Sequence, residues 1–160
     1  MSSQHVALPD ELERAYAMAT PAARLRAIKQ RLAGAHAEMP SARLVTVVSA
    51  VEALARSLVV HSPGRPIGTA EMRYRQVRAS GPVELVEEVL RLRGAPRGVA
   101  HFGTPTWEWF EVAAGYRDLV VRECAIVSQE RHAPVFDAAE AVLRGLIEVA
   151  ALEARPQVVA

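Results

Sequence analysis

Side chains able to do chemistry gather in two stretches of this 160-residue sequence. From Tyr116 to Cys124 the chain carries Arg117, Asp118, Arg122 and Glu123 and ends on its only cysteine. Two guanidiniums five positions apart can grip a phosphate, but neither can exchange a proton near neutral pH. The plainer reading makes Asp118 and Arg122 an i,i+4 surface pair worth about 0.3–0.5 kcal/mol. The second stretch holds Arg65, Arg73, Arg75 and Arg78 with Tyr74 among them. Arginines beside an aromatic ring suit phosphate contact and base stacking, while the plainer reading is a solvated helix face. Charge supports the first possibility only locally. Residues 41–80 carry six arginines against Glu52 and Glu71, yet the whole chain has a net charge of +1 and a pI of 8.0. A dedicated nucleic-acid binder usually has a pI above about 9.

Other chemistries are poorly supplied. The five histidines, His5, His36, His61, His101 and His132, are dispersed, and no paired-histidine zinc motif is present. No phosphate-binding glycine loop, dinucleotide fingerprint or nucleophile elbow occurs either. The spacings Arg31/His36 and Arg56/His61 are what chance provides among 18 arginines. One cysteine excludes an internal disulfide or a multi-cysteine metal site. Neither a metal nor a cofactor is expected. Cys124 reads as a small core residue. Glu123 interrupts an apolar stripe and needs a cationic partner, a helix end or an interface.

The elements that must carry these residues are helical. Alanine, leucine and arginine dominate, and aromatics make up 5%, a mix that favours helices over sheets. We expect an all-α, up-and-down bundle of about six helices over residues 9–153, with loose tails at 1–8 and 154–160. Leu44, Val47, Val48, Val51, Leu54 and Leu58 recur at helical spacing and predict a core helix to Val60, with Glu52 and Arg56 on its polar face. Thr20-Pro21 reads as a cap and first helical position. Thr69 starts a short helix to Arg78, and another follows around Val83–Leu90. Residues 94–105, rich in glycine and proline, form the longest loop. A helix from Trp107 to Gln129 then buries Trp109, Val112, Tyr116, Leu119 and Val120, with Glu123 in line. The last helix, from Pro134 to Ala151, buries Leu143 and Leu146. One of Trp107 and Trp109 belongs to the core, and the other is free to meet a partner. The N-terminal residues lack the pattern of a signal peptide, and the most apolar run is too short and too charged to span a bilayer. The expected location is the cytoplasm, with no membrane contact.

The segment from Tyr116 to Val127 resembles the signature helix of the HEPN superfamily (higher eukaryote and prokaryote nucleotide-binding domains). That family's motif is an arginine, a polar residue such as Asn or Asp, and a histidine about five positions after the arginine. Arg117 and Asp118 match the first two, and Arg122 stands where the histidine belongs. Val48–Leu58 is similar to an early core helix of the family, and the closing Ala/Leu-rich helix fits as well. The resemblance implies a helical bundle that pairs as a homodimer through the motif helices. Many family members are metal-independent ribonucleases. Loss of the histidine implies loss of cleavage, because a near-neutral imidazole is the group that moves the proton. His132, in the loop beyond, is the one stand-in base. Three readings follow: a catalytically degenerate HEPN-like dimer with weak RNA or nucleotide binding, a helical protein-interaction module with no nucleic-acid role, or a metal-independent ribonuclease using Arg117 with His132 or another base.

Overall fold

The computed structural model describes residues 8–152. The tails expected at 1–8 and 154–160 lie outside the described residues, apart from Leu8. Among the described residues eight α-helices form an all-helical bundle: α1 (Pro9–Met18), α2 (Pro21–Ala33), α3 (Pro40–Val60), α4 (Ala70–Val77), α5 (Pro82–Leu92), α6 (Gly98–Phe102), α7 (Thr104–Glu123) and α8 (Ala133–Val149). No strand occurs among the described residues.

Six of the helices begin with proline in their first turn. Proline supplies the helical φ there and lacks only an N–H that would be unsatisfied anyway. At α2 the cap is the expected one, Thr20 Oγ1 accepting from the Ala23 amide at 3.3 Å. The Thr69 hydroxyl instead donates to the Pro66 carbonyl at 2.8 Å. The three-residue helical turn before α4, Ile67–Thr69, leads the chain into that helix.

The long helix α3, roughly 30 Å from its 21 residues, is the axis of the bundle. Helices α1, α2, α4, α5, α7 and α8 all pack against it. This explains its many β-branched residues: Val48, Val51 and Val60 are fully buried, as are Leu44 and Leu54, so packing overrides the weak helix propensity of the valines. Of the expected core residues, Val51, Leu54, Leu58, Leu143 and Leu146 are buried, Val120 is half-buried, and Leu119 is exposed instead, because α7 turns it away from the bundle.

Two expectations about residues 94–129 change. The loop at 94–105 contains a short helix, α6, whose Gly98 lies against Trp107: a β-carbon there would sit 2.5 Å from the indole. Phe102 stacks on Trp107 at 5.8 Å and Trp107 tilts onto Phe110 at 5.5 Å, closing the corner between α6 and α7. At the other end, α7 stops at Glu123 instead of Gln129. Cys124 turns left-handed at φ +52° and its N–H returns to the Leu119 carbonyl, a helix-ending geometry usually given to glycine. After that turn, Val127 is pinned to the start of α3, its N–H donating to Ser41 Oγ at 2.8 Å and its carbonyl accepting from the same hydroxyl at 3.3 Å.

Candidate functional site

Residue Arg117 sits on the inner side of α7, in line with Phe110, Ala113 and Val120. Its guanidinium crosses to α3 and donates Nη1 to Glu52 Oε2 at 2.5 Å. Glu52 is also held by Arg56, one turn further along α3, at 2.6 Å. All three side chains are less than one-fifth exposed. The expected Glu52–Arg56 pair is therefore one half of a triad that joins α3 to α7. Arg117 Nε also reaches Asp118 Oδ1 at 3.2 Å, and Arg56 Nη2 donates to the Ser80 carbonyl at 3.3 Å. Burial alone would raise the Glu52 carboxyl, but the two guanidiniums, Arg117 foremost, overcome it and hold the group below the usual carboxylate range. Nearby, Arg24 lies over the Tyr16 ring at 4.7 Å. Burial, with the like charge of Arg56 adding to it, lowers its pKa.

Apart from Asp118, the motif stretch does not converge on Arg117. Arg122 and Glu123 are exposed in the last turn of α7, and Asp118 pairs with its neighbour Arg117 instead of Arg122. Glu123 thus needs no buried partner, because the stripe it was placed on faces outward. Cys124 is an exposed helix cap and not a core residue. His132 caps the start of α8, its Nδ1 lying 2.9 Å from the Ser128 carbonyl, and its ring meets Tyr116 edge-on at 4.9 Å. Tyr116 and Arg117 point about 100° apart on the helix, so the contact that holds His132 is on a different side from Glu52.

The basic run divides in the same way. Arg73 and Tyr74 are buried instead of lying on a solvated or nucleic-acid-facing surface. Arg73 donates Nε to the Val60 carbonyl at 2.7 Å and Nη1 to Thr69 Oγ1, clasping the C-terminal end of α3. Tyr74 lies beside Glu13, and burial together with that carboxylate raises its phenol pKa. Arg75 is exposed and 3.5 Å from Glu71, while Arg78 is 3.9 Å from Glu13. Arg65 is exposed in the loop before α4. Val60 lies eight residues beyond Glu52, roughly 12 Å along α3, so Arg73 and Arg117 grip that helix at separate levels. No group of three or more His, Cys, Asp or Glu side chains able to hold a metal ion comes together among the described residues.

One feature falls outside the expected sites. The outward side of α7 is apolar: Trp109 is 44% exposed, Leu119 48%, and Val112 is exposed too. Val121, on the Arg117 side of the last turn, and Ile126, just past the helix end and 90% exposed, are further exposed apolar residues. Trp107, by contrast, is core. The spacing 109, 112, 116, 119 was legible in the sequence as a stripe, but which way it faced was not. No described helix is long and apolar enough to cross a membrane. Set against family models, curated proteins and solved structures, the chain matches none of them.

Proposed function

We propose that this chain is a non-catalytic helical interaction module that self-associates through α7. The observation that carries the reading is the outward stripe of Trp109, Val112 and Leu119. Exposed apolar side chains recurring along one helix face suit an interaction site, and an aromatic anchor is what such interfaces favour. A second copy fits the charge pattern as well. Glu108 and Arg122 are both exposed and lie seven residues either side of Gly115. In an antiparallel two-fold pairing of α7 about Gly115, each Glu108 meets the partner copy's Arg122. Space at Gly115 is open to a neighbouring helix, with no atom within 4 Å of where a β-carbon would sit.

The HEPN-like reading keeps its homodimer in this proposal. Its weak grip on RNA or nucleotide loses support at Arg117, whose guanidinium is engaged by Glu52. A metal-independent ribonuclease built on Arg117 and His132 has no geometric support either, since Tyr116 holds the imidazole on another side of α7. Sedimentation at tens of micromolar tests the proposal. The unmodified chain should run as a dimer, and Leu119→Glu should run as a monomer with unchanged helical circular dichroism. A clean monomer for the unmodified chain would overturn it.

A further inference from the structure

A second, separate site lies where the C-terminal end of α3 meets α4 and α5. There a cavity of about 210 Å³ is lined by Ser62, Arg65, Arg73, Gln76, Glu88 and Arg91 among others. We propose that this cavity binds a small tetrahedral oxyanion, a phosphate or the phosphate end of a small phosphomonoester, through Ser62, Arg65 and Arg73. The site goes beyond the association reading and is independent of α7.

Three observations point to an anion. First, Arg73 is only 8% exposed, yet its bonded partners are the neutral Val60 carbonyl and Thr69 hydroxyl, and no carboxylate pairs with it among the described residues. A buried charge without a counter-ion is costly. The negative end of α3 accounts for the bond to Nε but leaves the net charge in place. Second, Ser62 is 6% exposed and its Oγ has no hydrogen-bond partner. Buried hydroxyls are nearly always satisfied, and here the lining offers a guanidinium-rich space for an acceptor to occupy. Third, the charges do not balance. The one carboxylate in the lining, Glu88, is held by Arg91 through two bonds of 2.6 and 2.8 Å. Arg65 acts on the same carboxylate through space, but three arginines against one carboxylate leave a surplus of two positive charges in the lining.

A phosphate accepts from a hydroxyl and from guanidinium forks at once, which matches this donor set. The lining has no unpaired carboxylate that would attract a cation instead. The volume is below the roughly 300–1,000 Å³ of sites for drug-sized ligands, so the anionic group itself is what fits. Pro63 and Pro66 flank Arg65 and restrict the loop that presents it.

The test is thermal unfolding and titration calorimetry of the whole chain in phosphate-free buffer. Sodium phosphate is titrated against sodium chloride at matched ionic strength. Phosphate should give a saturable rise in Tm, as a ligand of the folded state does, and chloride should not. Arg65→Gln, at an exposed position, should fold normally and bind phosphate about tenfold more weakly. Ser62→Ala should leave the phosphate-free Tm unchanged or higher, because it removes an unsatisfied buried hydroxyl, and it should lose most of the phosphate-dependent rise. A general salting-in or salting-out effect would act on all three proteins alike. Glycerol 3-phosphate binding more tightly than inorganic phosphate assigns the site to an ester, and the reverse order assigns it to free phosphate. No saturable response, or one of equal size in both variants, overturns the proposal.

Discussion

Replacing Glu52 by Gln tests whether the α3–α7 triad holds the bundle together. The change keeps the shape and leaves Arg56 and Arg117 facing each other without the carboxylate that now lies 2.6 and 2.5 Å from them. Removing one partner of a fully buried ion pair costs about 3–5 kcal/mol, and an exposed pair is worth about 0–1. With all three side chains under one-fifth exposed, the expected loss is about 2–4 kcal/mol. At about 3 °C per kcal/mol for a chain of this size, that is a Tm lower by roughly 6–12 °C. The pH dependence gives a second readout. The folded-state pKa of Glu52 is depressed, so its contribution is fully present above the unfolded value of about 4.3 and is lost as pH falls through the folded value. The gap between parent and Glu52→Gln should therefore be constant from pH 7 to about 5 and narrow below about 4. Urea denaturation at a series of pH values measures it. A double-mutant cycle with Arg117→Gln should return a coupling of about 1–3 kcal/mol. A loss below about 0.5 kcal/mol with no narrowing at low pH would show that the triad is a solvated surface cluster.

Three further outcomes follow from packing and backbone geometry. Leu54→Ala, at a fully buried position in the middle of α3, should cost about 2–5 kcal/mol by denaturant unfolding. Gly98→Ala should cost about 1–3 kcal/mol, because the new methyl meets the Trp107 ring at 2.5 Å and must displace it; a change in near-UV circular dichroism should accompany the loss. Cys124→Gly should raise stability by about 0.5–1 kcal/mol by relieving the left-handed φ of +52°, and thermal unfolding under reducing conditions checks it.

Period, caps and breakers made the helical class and the central helix readable. Leu44 to Val60 repeats at helical spacing however the neighbours are arranged, and Thr20-Pro21 announces its own helix start. What could not be read was rotation about a helix axis. Residues 107–120 carry two apolar stripes: Trp107, Phe110, Ala113 and Val120 on one side, Trp109, Val112, Tyr116 and Leu119 on another. Spacing alone ranks neither above the other. The same blindness applies to the basic run, where Arg73 and Tyr74 turn inward while Arg75 and Arg78 turn out. The triad had a local signal only for its Glu52–Arg56 half, since Arg117 lies 65 residues away from Glu52. Left-handed Cys124 gave no signal, because helix-ending residues of that kind are usually glycine.

The rotation of α7 links the buried triad to the outward stripe. Helical residues advance by about 100° each, so a helix that points Phe110, Ala113 and Arg117 at α3 must turn Val112 and Leu119 away from it. Trp107 and Phe110 fill the corner with Phe102, and the Arg117–Glu52 bond fixes the same orientation two turns later. These contacts sit at both ends of the inner face and leave no freedom to bury Trp109 by rolling the helix. Burying the second stripe therefore requires a surface beyond the described residues. This is why a pair of arginines that reads in the sequence as a phosphate grip has its main consequence elsewhere. By committing Arg117 to the core, the fold turns the apolar Val112 and Leu119 outward on the opposite side of the same helix.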